Sequence, residues 1–392
     1  MGMGFNYELA RAVARGRDRD TARFFAGRLA EIRRFDDALA ELDERGKHDR
    51  AAEFVIYQGA PGCGKTSLLN HLRELPAYDD VLFVTVGLRD LAHEDPLKSL
   101  VWGHIEEATP ARPGEIAGFA ETSRRPEQKN QRVRAVVLHL DEAQVVDETA
   151  KPGLLMLHTA GLGYPCAMVM TGLGHTKRRV SSISGLSRLA GNATVGMAGM
   201  AVDECAESTL MMLRELDVDG TDGEKESAAD LVGTLSQGWP HHLCGAQIAL
   251  CRELLGASGV LRDVDTGQVR RQSHENRHAY YFGRLAHSAL AESPRFSASL
   301  VAKVDESRPT DLLALEELCR EERDRSGRAG LPEPAELANA LIEKGAVTIT
   351  VEGKCEVPIP SMAEWAKSMA ADGPPSARPT GRRRDRPKGS VP

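Results

Sequence analysis

Several features are missing from this chain of 392 residues. None of its seven cysteines forms a CxxC pair, which excludes a zinc ribbon and a disulfide framework and fits a reducing cytosol. No apolar run reaches the roughly 18 residues of a membrane span. The N-terminus is charged and lacks the apolar centre of a signal peptide, so a cytoplasmic protein without a membrane partner is expected. Positive charge is not in excess. The formal net charge is −7, so the molecule is no polyanion binder by bulk charge, and any nucleic-acid contact must come from local patches. Aromatic residues are few, at 5%, while 41% apolar and 27% charged residues are ordinary for a globular protein long enough for two or three domains.

What is present is concentrated in GAPGCGKTS, from Gly59 through Ala60, Pro61, Gly62, Cys63, Gly64, Lys65 and Thr66 to Ser67. This matches the phosphate-loop (P-loop) pattern. Glycines let consecutive backbone N–H groups turn inward around a phosphate, where a side chain would block the approach. Lys65 can reach the terminal phosphates, and the Thr66 hydroxyl can face Mg²⁺. The apolar run Glu53–Gln58 reads as a buried strand before the loop, and Lys65–Leu75 as a helix after it that stops at Pro76. Strand, loop and helix N-terminus together form an anion site.

Four more apolar runs follow, at Val81–Gly87, Ala135–Leu140, Cys166–Thr171 and, more weakly, Ala193–Gly199. Helical segments near Pro96–Glu107, Glu148–Thr159 and Lys177–Leu189 lie between them. The alternation predicts an α/β core with a parallel five-stranded sheet covered on both faces. Ala135–Gln144 reads AVVLHLDEAQ, a strand ending in two carboxylates at the edge where α/β sheets hold ligands. Asp141 is the expected Mg²⁺ ligand, and Glu142 the base that takes a proton from the water attacking the γ-phosphate. Thr171, at the tip of a neighbouring strand, has two readings. It positions that water or touches the γ-phosphate, or it caps its strand through turn N–H groups. Arg188, in GLSRLA, is either an arginine finger for a neighbouring subunit or a solvated helix charge. Arg178 and Arg179 are less favoured for the same role.

These residues carry a resemblance. Phe25–Phe35, FAGRLAEIRRF, looks like the box that precedes the phosphate loop in AAA+ ATPases of the origin-initiator group and in STAND signalling ATPases. That resemblance implies that Phe25, Gly27 and Arg28 help enclose adenine. It also implies an ASCE/AAA+ type P-loop NTPase core, with ATP and Mg²⁺ as ligands and a homo-oligomer in the ATP state. Box, loop, Asp-Glu strand, Thr171 and the Ser-Arg element come in family order, and a helical lid follows. There SQGWPHHLC is similar to a Gly-x-Pro turn that packs on the nucleotide base, which assigns Gly238 and Pro240 to that turn. Initiator-type relatives place an arginine near the start of this lid helix, where this chain has His241 and His242.

The expected organisation is an N-terminal helical segment at 1–50, an ATPase core at 51–200, a lid at 201–256, a winged-helix-like domain at 257–371 and a disordered basic tail at 372–392. Within the fourth part, 257–280 reads as a linker or opening helix, Tyr281–Ala291 as the next helix, and Gly345–Pro358 as a hairpin around Glu352 and Gly353. The candidate recognition helix Glu333–Lys344 holds several acids and suits DNA phosphates poorly. DNA contact through this domain and contact with a protein or with the chain itself both stand as readings. So do nucleic-acid binding and simple solubility for the tail cluster Arg382, Arg383, Arg384, Arg386 and Lys388. A polar surface insertion is expected at Thr109–Arg134. The expected activity is ATP hydrolysis that drives a molecular switch. The alternative is a nucleotide-stabilised DNA-binding adaptor or loader.

Overall fold

A computed structural model of the chain describes residues 4–16, 23–45, 51–108, 133–162, 164–285, 294–327 and 330–371. The basic tail and nearly all of the 109–134 insertion lie outside these residues. Arg134, at the insertion's end, pairs with Asp43 and Asp80 on the surface.

The sheet comprises β1 (Glu53–Gln58), β2 (Val81–Thr85), β3 (Ala135–Leu140), β4 (Cys166–Gly172) and β5 (Thr194–Gly196), in the spatial order β2-β3-β4-β1-β5. All pairings are parallel. Every residue of β1, β3 and β4 is buried, which is why these strands read as continuous apolar runs. Alternation sorts them between two cores. Val55, Tyr57, Phe83, Val137 and Val169 pack with α2 (Leu29–Arg45) and with α3 (Lys65–Glu74), the helix that follows the phosphate loop. Phe54, Ile56, Leu82, Leu138 and Met168 pack on the opposite face, which is covered by α4 (Leu88–Leu91), α5 (Glu94–Ala108), α6 (Lys151–Thr159), α7 (Thr176–Ser182) and α8 (Ser187–Ala193). The edge strand β5 is shorter than its apolar run because only three of its residues pair with β1. The single helix expected at Lys177–Leu189 is broken at Ile183, which is extended, and resumes as α8.

The lid consists of α9 (Val202–Glu215), α10 (Asp222–Ser236) and α11 (Pro240–Gly256). A reciprocal cap starts α10: Glu224 N donates to Thr221 Oγ1 at 3.3 Å and Thr221 N to Glu224 Oε2 at 2.7 Å. The N-terminal segment divides between two bodies. Its first helix, α1 (Tyr7–Ala14), buries Leu9, Ala10 and Val13 in the lid core, whereas α2 lies on the sheet.

Residues from Thr266 form one helix, α12 (Thr266–Leu285), not a linker. Tyr281 is buried near its end and does not open a helix of its own. Beyond it stand α13 (Pro294–Ser307), α14 (Leu312–Ser326), α15 (Pro334–Glu343), an antiparallel pair β6 (Thr348–Ile349) and β7 (Cys355–Glu356), and α16 (Pro360–Ala371). The hairpin turns at the expected place, with Gly353 N donating to Thr350 O at 3.0 Å, but its strands pair over two residues each.

Candidate functional site

The phosphate loop leaves β1 and enters α3 through Gly62 and Gly64, at φ of 80° and 95°. At Gly62 a Cβ would sit 2.8 Å from the Tyr280 hydroxyl, so conformation and crowding both demand glycine. Lys65 Nζ donates to Gly59 O at 2.9 Å and Ala60 O at 3.2 Å, across the inside of the loop. Pro61, Gly62, Gly64, Lys65, Thr66 and Ser67 line a cleft of about 800 Å³, and Asp141 and Glu142 line the same cleft from the end of β3. Gly59, Ala60 and Cys63 do not line it. The Cys63 side chain is fully buried behind the loop, with Sγ 3.8 Å from Lys65 Nζ.

Strand register brings the acidic pair to its partners. Leu140 pairs with Met170, so the next residues, Asp141 and Thr171, emerge side by side. Thr171 Oγ1 donates to Asp141 Oδ1 at 2.6 Å, and Glu142 N donates to the same oxygen at 2.9 Å. Both bonds fall on Oδ1, and among the described residues Oδ2 has none, which suits a carboxylate that also serves a cation. Glu142 has φ of 53°, a region unfavourable for a non-glycine residue and common at functional sites. Gln144 donates from Nε2 to Glu142 Oε2 and accepts from Leu173 N at 3.1 Å. One amide thus ties the candidate base to the end of β4.

Three side chains join this site that the motifs do not name. His139 lies two residues before Asp141, on the same strand face. Its Nε2 is 3.1 Å from Thr171 Oγ1, and its Nδ1 is 3.3 Å from Arg73 Nη2 on α3. Burial, then the Arg73 cation, pushes the imidazole down to about 4 against the opposing pull of Asp141, so the ring is neutral at physiological pH. Period two alone makes His139 a candidate neighbour of Asp141, whereas nothing in the sequence pattern points to Arg73. Tyr280, on α12, donates to Pro61 O at 2.6 Å and stacks on His241 at 4.2 Å, with the Arg284 guanidinium 4.5 Å from its ring centroid.

The box before the loop has a different geometry from simple contact with a base. Arg28 is buried, with φ of 61°. Its Nη1 donates to Glu31 Oε1 at 2.8 Å, and its Nη2 to Cys63 O and Ala198 O, both at 2.7 Å. It therefore clamps the phosphate loop to the segment that leads into the lid. Gly27 backs onto the Glu204 carboxylate. Phe25 stacks on His71 at 4.2 Å and, with Met200, Pro240, Leu243, Gln247 and Ser67, lines a small apolar recess beside the loop. Pro240 starts α11 against Gly64, and His241 N donates to Gly62 O at 3.1 Å, so the lid is docked on the loop. His242 is buried, and burial, then His241 and Arg277, pushes its imidazole down to about 3. A neutral ring does not replace the arginine of initiator-type lids. The cleft's further guanidinium groups come from Arg252 on α11 and from Arg277 and Arg284 on α12. Arg188 is exposed on α8 and does not line the cleft of its own chain.

No protein-family model and no curated protein matches the chain. Among solved structures, it is similar to an Aeropyrum pernix ORC2 protein with ADPNP and ADP, at 12% identity and a TM-score of 0.47, covering 88% of this chain and 94% of that one. The Thermotoga maritima RuvB Holliday junction branch migration motor gives 14% identity and a TM-score of 0.43, with 87% and 95% covered. Cdc6p from Pyrobaculum aerophilum gives 14% and 0.42, with 88% and 94% covered. The chain's own topology assigns the fold. Its phosphate loop follows β1, its Asp-Glu pair follows β3, and β4 stands between those two strands, which is the arrangement of a P-loop NTPase core with an added central strand. No helix among the described residues is long and apolar enough to cross a membrane.

Proposed function

We propose that this chain binds ATP and hydrolyses it to ADP and phosphate, and that nucleotide state sets the position of its C-terminal helices and hairpin. The observation that carries this reading is the meeting of Lys65, Thr66, Asp141 and Glu142 on one cleft. Lys65 and the loop N–H groups would hold the phosphates, and the recess at Phe25 and Pro240 suits an adenine ring. The Thr66 hydroxyl and Asp141 Oδ2 would hold Mg²⁺, which neutralises charge on the phosphate oxygens when bound. Glu142 takes a proton from water as the new O–P bond forms and the bond from the γ-phosphorus to the oxygen retained by ADP breaks. Arg188, exposed and outside its own cleft, suits delivery to a neighbouring subunit.

The switch reading draws on contacts between the C-terminal unit and the nucleotide end of the core. Gly345, at φ of 66°, lies so close that a Cβ would be 2.1 Å from Pro61 Cδ. Lys177 Nζ donates to Val351 O at 3.0 Å. A loop that reshapes around phosphates would therefore push directly on the winged-helix-like unit. Gly345→Val is expected to undock this unit without unfolding the core. Small-angle scattering should show a larger radius of gyration at an unchanged far-UV spectrum.

Calorimetry with Mg²⁺–ATP tests the central reading, and absence of binding heat would end it. Gel filtration with and without Mg²⁺–ATP reads the expected oligomer. The adaptor alternative rests on the basic tail. It requires DNA binding that persists without ATP, weakens between two salt concentrations and falls on deleting 372–392. The helix expected to read DNA turns Asn339, Ile342 and Glu343 toward a groove against α7, which favours contact within the chain.

A further inference from the structure

The recess beside the phosphate loop carries an amide on its lid wall. Gln247, on α11, lines it together with Phe25, Met200, Pro240 and Leu243. Its Nε2 donates to Ser208 Oγ at 3.1 Å and, more weakly, to Thr209 Oγ1 at 3.4 Å, both on α9. The two hydroxyls are themselves tied to backbone. Ser208 Oγ donates to Phe24 O, and Thr209 Oγ1 to Cys205 O at 3.1 Å. Among the described residues Gln247 Oε1 has no hydrogen-bond partner, although the side chain is buried.

These bonds fix which way the amide faces. A hydroxyl has one proton, and both protons here go to carbonyls, so toward Gln247 the two oxygens only accept. The NH₂ half of the amide must therefore face α9, which leaves Oε1 on the other side. Turned over, the amide would set its oxygen against two hydroxyls with no proton to give. A buried carbonyl oxygen without a donor is costly, and one that lines a recess marks where a ligand N–H belongs. Size decides how much of a ligand enters. The recess holds about 50 Å³, and it shares Gly64, Ser67 and Pro240 with the lining of the main cleft. A water takes about 30 Å³ in the liquid. The recess thus admits one edge of a ring whose phosphates lie on the loop.

We propose that Gln247 selects the base, its Oε1 accepting from the 6-amino group of adenine and rejecting the 6-carbonyl of guanine or hypoxanthine. This rests on the ATP-binding reading above and narrows it to one contact. Adenine carries a donor at position 6 and guanine an acceptor. Two carbonyl oxygens face to face would share no proton, and both would have lost water. Ser208 and Thr209 are positioning residues. They act only by keeping the amide from turning over.

Binding titrations on the full chain with Mg²⁺ and three nucleotides test this. The three are ATP, purine riboside triphosphate, which has only hydrogen at position 6, and ITP, which has a carbonyl there. Purine riboside triphosphate should bind about tenfold more weakly than ATP, as for one lost hydrogen bond to a buried acceptor. ITP should bind about 100-fold more weakly or worse, because it leaves the acceptor unpaired and adds a repulsion.

Gln247→Leu should bring ATP down to the affinity of purine riboside triphosphate and draw the three nucleotides to within about threefold of one another. Ser208→Ala combined with Thr209→Val should act on ITP in the opposite sense. The amide, released, can turn and offer Nε2 to a 6-carbonyl, so ITP binding should rise by about tenfold while ATP changes little. If Gln247→Leu does not fold, this double variant carries the test. ATP and ITP bound equally by the unaltered protein would overturn the proposal and leave the phosphate site standing. So would variants that weaken all three nucleotides alike with their ratios unchanged, which is the mark of a packing role. Failure of all three to bind the unaltered protein would instead overturn the ATP-binding reading, and the base selection with it.

Discussion

Glu142→Gln protein is expected to take up Mg²⁺–ATP and keep it, with phosphate release slowed by about 10²- to 10⁴-fold, the range that a positioned general base supplies. The amide matches the carboxylate in size, so the loop, Asp141 and the recess at Phe25 remain as they are. What disappears is the group that takes the proton from water. Lys65→Ala is expected to fail earlier, with no measurable nucleotide uptake, because Nζ is the loop's own cation and lies across its inner side. A phosphate-release assay beside calorimetry separates the two. Normal turnover by Glu142→Gln would remove Glu142 from the base role. The proton would then have to go elsewhere, and the φ of 53° at this residue would need another explanation.

Much of this site is legible in the sequence. The loop declares itself because an anion cradle needs glycines, a lysine and a hydroxyl residue at set spacing. Strands β1, β3 and β4 declare themselves because a strand buried on both faces must be apolar throughout, whereas the edge strand β5 is partly exposed and reads weakly. The Asp-Glu pair stands out because two carboxylates rarely follow such a strand without a charge to meet. What remains hidden depends on contacts between distant segments. Gln144 stands in the sequence only as the last residue of AVVLHLDEAQ, with no role assigned, until the turn after β3 folds its amide back on Glu142. Nothing in the sequence pattern marks Arg73, in the last turn of α3, yet its Nη2 lies 3.3 Å from His139 Nδ1. Tyr280 falls in a stretch that reads as a linker or an opening helix, and the sequence does not decide between them. The reason is that α12 is mostly polar and buries every fourth residue along one narrow stripe, at Val269, Ser273, Arg277, Tyr281 and Leu285. Two of the five buried side chains, Ser273 and Arg277, are themselves polar, so no apolar periodicity marks the helix. Of the box at Phe25–Arg28, Phe25, Ala26 and Arg28 border the recess, and Arg28 also holds the Cys63 and Ala198 carbonyls, a role that depends on segments distant in the sequence.

That arginine carries the last prediction. Arg28→Ala is expected to cost about 3–5 kcal/mol, the range for removing one member of a buried ion pair and leaving the other uncompensated. Glu31 would lose its partner, and the Cys63 and Ala198 carbonyls would each lose a charged donor. Arg28→Lys should rescue little, since an ammonium on a flexible stem cannot reproduce a planar fork that spans three acceptors. The residue also sits at positive φ, and alanine there keeps the backbone strain while giving up the bonds that offset it. Thermal scans should show a melting temperature lowered by more than about 5 °C. The functional consequence follows from where the acceptors lie. Cys63 belongs to the phosphate loop and Ala198 to the segment entering the lid, so Arg28 makes these two move together. Without it, nucleotide affinity should fall even at temperatures where the chain stays folded. A variant as stable as the unaltered protein, with unchanged ATP affinity, would mean that this clamp transmits nothing between loop and lid.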